Sequence, residues 1–329
     1  RTSGGVGRRV PRLGGYGCAC VVVVARGIWA NWCRDPGGLR KRQALLAEHY
    51  GVHWQWLSKD ELRTQIRSRR YHGGLYERDA LHLQPLNYAL GLATAAAGQG
   101  VRIHEGSGAL ELVREGLLWR VRTAQGEVLA DQVVLACGGY LAGLQKPIDR
   151  AILPIATYVM VTEPLGERLD ECLRTRAAVY DSRFAFDYYR ALPDRRLLWG
   201  GRISVLERSP AAVQKLLARD LLRVFPQLAG VKIDYAWSGL MSYARHQMPQ
   251  IGGDGNGLWW AQAFGGHGLA PTCVAGELLA AALAGGDDGW KQFRDYGLGN
   301  VGRPFGYLAA QASYWWQQGR DSLKTRMEG

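Results

Sequence analysis

The stretch from Leu258 to Ala284 constrains the fold more than any other part of the chain. It runs Leu258-Trp-Trp-Ala-Gln-Ala-Phe264, then Gly265-Gly-His-Gly268, then an Ala, Val and Leu run from Leu269 to Ala284. A short apolar run carrying Trp and Phe between glycines predicts a buried strand. Gly265, Gly266 and Gly268 then form a turn that few other residues could make. The run from Leu269 predicts a helix that stops at Gly285-Gly286, because glycine is the usual residue past a helix end. Such a corner aims backbone N–H groups and the positive end of a helix dipole at one point. An electron-rich or anionic group fits there. The plainer reading is a tight connection whose glycines serve packing alone, and this stretch by itself does not separate the two.

A second corner of the same kind is Val133-Val-Leu-Ala-Cys-Gly-Gly-Tyr-Leu141, an apolar strand that ends in paired glycines. Upstream of it, His82-Leu-Gln-Pro-Leu86 leads into an alanine-rich helix over Pro85–Gln99 with proline in its first turn. A strand over Val101–His104 follows. Helix then strand is half of a parallel crossover unit, so a parallel sheet is expected here on the residues alone. Glu111–Arg114, Leu117–Arg122 and Glu127–Ala130 predict a small antiparallel meander, with Gly116 and Gln125-Gly126 as its turns.

The regular pattern begins at Leu39 and changes character from Ala151. Leu39–Tyr50 predicts a helix, and Ser58-Lys-Asp-Glu61 a capping box that opens another. Ile152–Glu163, Ala178–Arg190, Arg196–Ile203 and Val231–Tyr243 are long β-type runs. Ser209-Pro210 gives an N-cap and a first-turn proline to a helix that ends at Phe225. This block predicts an antiparallel sheet with a covering helix. The tail, with Tyr314-Trp-Trp-Gln-Gln318, predicts a terminal amphipathic helix docked on the chain's own body. The expected division is an atypical segment over 1–38, a cofactor domain from 39–150 and 252–329, and a substrate domain over 151–251.

Charge and cysteines narrow the function classes. The net charge is +12, with fifteen Lys/Arg against six Asp/Glu in the first eighty residues. Those arginines are scattered among Gly and Trp and match no helix-turn-helix or zinc-finger pattern, so specific nucleic-acid binding is not expected. The six cysteines, Cys18, Cys20, Cys33, Cys137, Cys172 and Cys273, form no C-x-x-C pair. A reducing, cytoplasmic setting is expected, with Cys137 and Cys273 acting as small hydrophobes in apolar elements. No run approaches the length of a membrane span, and there is no zinc spacing, serine elbow or P-loop, so no metal is expected.

The two corners together resemble the cofactor-binding parts of FAD-dependent oxidoreductases of the glycine/D-amino-acid oxidase superfamily. Gly73-Gly-Leu-Tyr76, His82–Leu86, Asp181–Arg190, Leu197-Leu-Trp-Gly-Gly-Arg202, Trp237-Ser-Gly239 and Met248-Pro-Gln-Ile-Gly252 carry the likeness further, in order and spacing. Tyr188-Tyr189-Arg190 and Met248-Pro249 look most like the γ-glutamylputrescine oxidase branch. The resemblance implies an α/β fold: a partial FAD-binding domain with a parallel sheet, plus an α+β substrate domain with an antiparallel sheet. It implies FAD as cofactor, held by Ala136, Cys137, Gly138 and Gly139 and by Gly265, Gly266, His267, Gly268 and Leu269. It also implies hydride removal from the carbon beside an amine to the flavin, followed by hydrolysis of the imine, on a small-molecule amine.

His267, Tyr188 and Arg190 are the candidate catalytic residues. His267 either bonds a neighbouring carbonyl or lies beside the flavin. Tyr188 and Arg190 share one face of a strand and Tyr189 the other. Relatives that oxidise α-amino acids tend to carry Arg-Pro shortly after Trp-x-Gly, where arginine clamps the carboxylate. Here Trp237-Ser-Gly-Leu240 is followed by Met241-Ser242. That departure favours an amine or polyamine-derived substrate, with Arg245 and Arg202 left for a more distant carboxylate or for a surface role.

The family's N-terminal dinucleotide fingerprint, G-x-G-x-x-G between a strand and a helix, is not matched. Gly5-Val-Gly-Arg-Arg-Val10 lacks the third glycine and a preceding strand; Gly15-Tyr-Gly-Cys-Ala-Cys20 lacks it too, and its apolar run follows the glycines. The alternative is therefore a truncated, flavin-free and catalytically silent product.

Overall fold

A computed structural model of the chain describes residues 24–328. Its strands are β1 (Val24–Ala30), β2 (Gln55–Leu57), β3 (Gly74–His82), β4 (Ala109–Glu115), β5 (Leu118–Thr123), β6 (Glu127–Ala130) and β7 (Val133–Leu135). They continue as β8 (Leu153–Thr162), β9 (Ala178–Asp181), β10 (Asp187–Ala191), β11 (Leu197–Ser204), β12 (Ile233–Tyr243), β13 (Gln250–Gly253) and β14 (Leu258–Gln262). The helices are α1 (Gly37–Tyr50), α2 (Lys59–Gln65), α3 (Pro85–Gly98), α4 (Lys146–Arg150), α5 (Pro210–Val224), α6 (Leu269–Gly285) and α7 (Phe305–Glu328). Among the described residues two compact units stand out, one of 85–155 with 240–309, the other of 24–84, 156–239 and 310–328.

The second unit is built on an eight-stranded sheet in the order β12-β8-β11-β10-β9-β1-β3-β2. From β8 across to β2 the neighbouring strands run antiparallel except β1 with β9. One face is covered by α5, whose Val213, Leu217, Leu221 and Val224 recur at helical spacing and are all buried. Ser209 caps that helix by accepting the Ala212 N–H, with Pro210 in its first turn. On this face Tyr189 stacks on Trp199 at 4.6 Å between centroids, and Phe225 meets both edge-on. Ser58 and Glu61 form the expected capping box at the start of α2.

The first unit holds two three-stranded sheets, β13-β14-β7 and the meander β4-β5-β6. Leu112 and Trp119 of the meander pack with Leu135, Leu141, Ile148, Ile152 and Leu258 in one core. Ile251, Ala261, Ala275 and Leu279 form a second cluster under α6. That helix ends, as its sequence predicts, in left-handed Gly286.

Three expectations are corrected. Residues 101–104 are not a strand: Val101 and Ile103 are about half exposed, the Val101 N–H turns back to Ala96 O at 3.1 Å, and no strand among the described residues pairs with them. An apolar alternation becomes a strand only where a neighbour takes its backbone groups. Residues 178–190 are not one β run but the hairpin β9–β10, broken by a turn over 182–186. The N-terminal segment contains β1, a central strand between β9 and β3. Its period was hidden by a bulge, where Arg26 takes φ +111° and the register to β3 shifts between Ala25 and Gly27. The glycine stretches over 5–10 and 15–20 lie outside the described residues.

Candidate functional site

In the first unit, β14 runs parallel to β7, with Leu258 opposite Val133, Trp259 opposite Val134 and Trp260 opposite Leu135. Parallel neighbours end at the same edge, so the turns that follow them, Ala136–Gly139 and Ala263–Gly268, leave the sheet side by side. This is the edge at which parallel sheets bind ligands. Each corner is a single 3-10 turn, over Gly138–Tyr140 and Gly265–His267. Gly138 and Gly265 take φ of +56° and +57°, which disfavours a side chain at either position.

The end of β12 stitches the two corners together. A Cβ on Gly139 would stand 2.7 Å from Leu240 Cβ, and one on Gly265 would stand 2.8 Å from the Tyr243 ring. The Leu240 N–H donates to Tyr140 Oη at 2.8 Å, and the Ala263 N–H donates to Ser242 Oγ at 3.1 Å. Burial pushes the Tyr243 phenol above its ordinary value, with the Gly266 backbone pulling the other way. Leu240 to Tyr243 stand where the Arg-Pro of α-amino-acid oxidisers is expected, and here they pack against glycine. Sequence reasoning missed Ser242 and Tyr243; their signal was alternation with Met241 on a strand that enters the first unit.

What remains open at this edge is Ala136, Cys137, Tyr140, Gly266, His267 and Leu269, all exposed. Cys137 is thus a surface thiol on the turn rather than the expected small hydrophobe, because β7 ends at Leu135, two residues before it. Cys273 is half-buried on α6, with Tyr88 Oη 2.9 Å from its sulfur. Helix α6 starts at Leu269 with Gly268 as N-cap, no side-chain cap and no acid in its first turn. Its positive end is therefore not neutralised by the first turn's own side chains. Thr272 turns inward, giving its N–H and hydroxyl to Gly268 O at 2.9 and 2.7 Å. A glycine cradle beside an uncapped helix end is a donor set that fits a pyrophosphate or the electron-rich edge of a flavin. The two corners carry Gly138, Gly265, Gly266, His267, Gly268 and Leu269, while Gly139 is buried against Leu240 and the His267 N–H is donated to Phe264 O at 3.3 Å.

In the second unit Tyr188 and Arg190 lie on the sheet face opposite Tyr189. Tyr188 lies over Gly200, where a Cβ would come within 2.1 Å of its ring. Burial raises its phenol, which is hydrogen-bonded to Thr157. Arg190 Nη1 donates to His82 Nδ1 at 2.9 Å, so the ring proton sits on Nε2, which donates to Arg176 O at 2.8 Å. Burial, with the Arg190 charge adding to it, holds His82 below its ordinary value, in the neutral form. Among the described residues no carboxylate is paired with Arg190.

On the same face the structure gathers residues that the sequence did not single out. Tyr188 is opposite Tyr180, and Tyr180 is opposite Trp29, whose rings lie 5.3 Å apart. Tyr180 Oη donates to Glu77 Oε1, and Phe186 flanks both tyrosines. Burial raises the Glu77 carboxyl above its ordinary value, against the pull of Tyr180. A half-buried carboxylate bonded to one ring of an aromatic cluster is a surface that suits a cation, and Arg42 of the chain itself already lies over Trp29 at 5.2 Å.

Residues 15–282 match the model of the family described as FAD dependent oxidoreductase (DAO). The chain is 36% identical over 239 residues to a Haemophilus influenzae protein named probable oxidoreductase OrdL, covering 71% of this chain and 54% of that one. It is 35% identical over 264 residues to gamma-glutamylputrescine oxidoreductase of Escherichia coli, covering 76% and 62%. The fold superposes on glycine oxidase of Geobacillus kaustophilus with a TM-score of 0.72 at 19% identity, covering 85% of this chain and 76% of that one. On iminodiacetate oxidase of Chelativorans sp. the TM-score is 0.73 at 16% identity, covering 86% and 78%. The chain spans between half and two thirds of the length of these curated relatives. Among the described residues no single helix is long and apolar enough to cross a membrane. The chain belongs to the FAD-dependent oxidoreductases of the DAO family.

Proposed function

We propose that the chain serves in the flavin-dependent oxidation of an amine, with a substrate of the γ-glutamylputrescine kind. The observation that carries this is the parallel register of β7 on β14, which brings two glycine corners to one sheet edge in a member of this family. Ala136, Cys137, Gly138 and Gly139 on one corner, and Gly265, Gly266, His267, Gly268 and Leu269 on the other, are the residues we assign to FAD. When bound, FAD supplies the acceptor for a hydride leaving the carbon beside the amine nitrogen. The α6 N-terminus meets negative charge with its dipole, a contribution of about 0.3–1 kcal/mol, rising to about 2 when partly buried. His267, exposed on its turn, is assigned to the cofactor edge rather than to a structural bond.

The substrate half of the reading rests on the open face of the eight-stranded sheet. Arg190, with no carboxylate partner among the described residues, offers itself to an anionic end. Glu77, bonded to Tyr180, whose ring packs with Trp29 and Phe186, offers itself to an ammonium group. Tyr188 offers a stacking surface in the neighbouring row of the sheet, opposite Tyr180. A substrate bearing both a carboxylate and an amine uses both. Met241 and Ser242, in place of an arginine clamp, argue against a simple α-amino acid.

The test is a visible spectrum of the purified chain with FAD, followed by anaerobic addition of γ-glutamylputrescine. A flavin band that bleaches with this amine, and not with glycine or D-alanine, is expected. Protein that stays colourless after FAD is added and excess removed overturns the cofactor assignment. Bleaching by the α-amino acids alone overturns the substrate assignment.

A further inference from the structure

A second polar surface in the 24–84, 156–239 and 310–328 unit serves none of the roles above. A cavity of about 670 Å³ is lined by five arginines, Arg70, Arg183, Arg202, Arg223 and Arg326, beside Trp32. It lies on the other side of the sheet from Tyr188 and Arg190. Asp187, which pairs with Arg183, alternates with Tyr188 along β10 and so points the opposite way. The last turns of α7 close it, through Gln318, Asp321, Ser322 and Thr325.

The charges around this cavity do not balance. Arg183 is buried between Asp181, at 2.6 Å, and Asp187. Arg202 forks onto Asp220 at 2.6 and 2.7 Å, and Arg223 shares that carboxylate at 3.2 Å. Asp321, the remaining acid, accepts the Phe184 N–H at 2.8 Å. Arg70 and Arg326 have no carboxylate among the described residues. Arg70 lies over Trp32 at 3.9 Å, and Arg183 lies over the same indole at 3.7 Å. Burial and the neighbouring Arg183 both push Arg70 below its ordinary value. Asp181 acts the other way on Arg70 but is itself bonded to Arg183, so a half-buried guanidinium beside another carries a cost that an anion would offset. Trp32 is fixed for this purpose: its indole N–H donates to Thr325 Oγ1 at 3.0 Å, and its backbone N–H to Ser182 Oγ at 3.0 Å.

We propose that this cavity is a binding site for a small molecule bearing a multiply charged oxyanion, phosphate or carboxylate. The anion is held by Arg70 and Arg326, with Trp32 as the floor. Guanidinium groups match the paired oxygens of either group. Because Arg326, Thr325 and Ser322 belong to α7, an occupant ties the C-terminal helix to the sheet. The site does not depend on the flavin reading.

The test is thermal unfolding and calorimetry on the purified full chain with inorganic phosphate, with succinate, and with sodium chloride at matched ionic strength. Saturable stabilisation by phosphate or by succinate, absent with chloride, is expected, and the stronger of the two identifies the oxyanion. Arg326→Gln, exposed on a helix and harmless to folding, and Arg70→Gln should each weaken half-saturation at least tenfold, with Arg70→Lys intermediate. Tryptic release of the tail should slow with the same half-saturation in the parent chain. Equal responses to all three salts, or unchanged half-saturation in both glutamine variants, overturns the proposal.

Discussion

The two faces of the eight-stranded sheet are made by the same strands, and β10 lays the contrast out residue by residue. Asp187 and Tyr189 point to the α5 side, where Asp187 pairs with Arg183 and Tyr189 is stacked on Trp199 and buried to 1% exposure. Tyr188 and Arg190 point the other way, into half-exposed surroundings. On the first face aromatic rings close on one another, and Arg183 and Arg202 are matched by Asp181, Asp187 and Asp220, while Arg70 and Arg326 of the cavity on that side are not. On the second, among the described residues, Arg190 bonds the neutral His82 and Glu77 a phenol, neither with an opposite charge. Polar groups kept half-buried with weak partners mark a face that recognises something, whereas matched groups mark one that holds the fold.

The largest effect that would break this comparison is a core truncation. Trp199→Ala removes a fully buried indole from the stack with Tyr189 and Phe225 and should cost about 3–5 kcal/mol in urea unfolding. Tyr188→Phe, one residue away from that stack on the other face, removes only a hydroxyl and should cost about 1 kcal/mol. Equal losses in the two variants would show that both faces are structural.

The next effect is in pH. Burial raises Asp187 to about 7, with Arg183 pulling the other way and Asp181 and Asp220 adding to the rise. A carboxyl raised on folding contributes stability that is full below its unfolded value and is lost as pH climbs to its folded one. Stability of the parent chain should therefore fall between about pH 4 and pH 7 relative to Asp187→Asn, by up to about 1.4 kcal/mol per pH unit. Urea midpoints of both proteins measured across that range check the sign. A difference that does not change with pH would mean that Asp187 stays ionised throughout.

The parts legible in sequence were those in which neighbouring residues decide the outcome. The β14 strand, its glycine turn and α6 follow from a continuous stretch, as do the capping box at Ser58 and the proline-led start of α5. What failed needed a partner from elsewhere in the chain. Residues 101–104 have the strand pattern but no neighbouring strand among the described residues, and β1 hides its pattern behind a bulge that β3 accommodates. Arg183 between Asp181 and Asp187 was local, yet it reads as an ordinary polar turn until burial gives it meaning. Glu77 and Tyr180 are 103 residues apart, and nothing short of strand order joins them.

Glu77 gives the smallest change in folding and the sharpest test of what the open face is for. Its carboxyl is raised by burial, so it too contributes stability at low pH that is lost as it ionises. Glu77→Gln keeps the shape, leaves Tyr180 an acceptor, and should be neutral or slightly stabilising above neutral pH. Binding should move the opposite way. Once ionised, the parent carboxylate gains a charge-assisted hydrogen bond to an ammonium group, about 1.5–3 kcal/mol, or roughly ten- to a hundred-fold in affinity. Putrescine affinity in the parent should rise with pH while Glu77 ionises, and the glutamine variant should bind weakly at every pH. Tryptophan fluorescence reads both, since Trp29 packs on Tyr180. A variant that binds as well as the parent would return Glu77 to a structural role beside Tyr180 and leave Arg190 as the face's recognising charge.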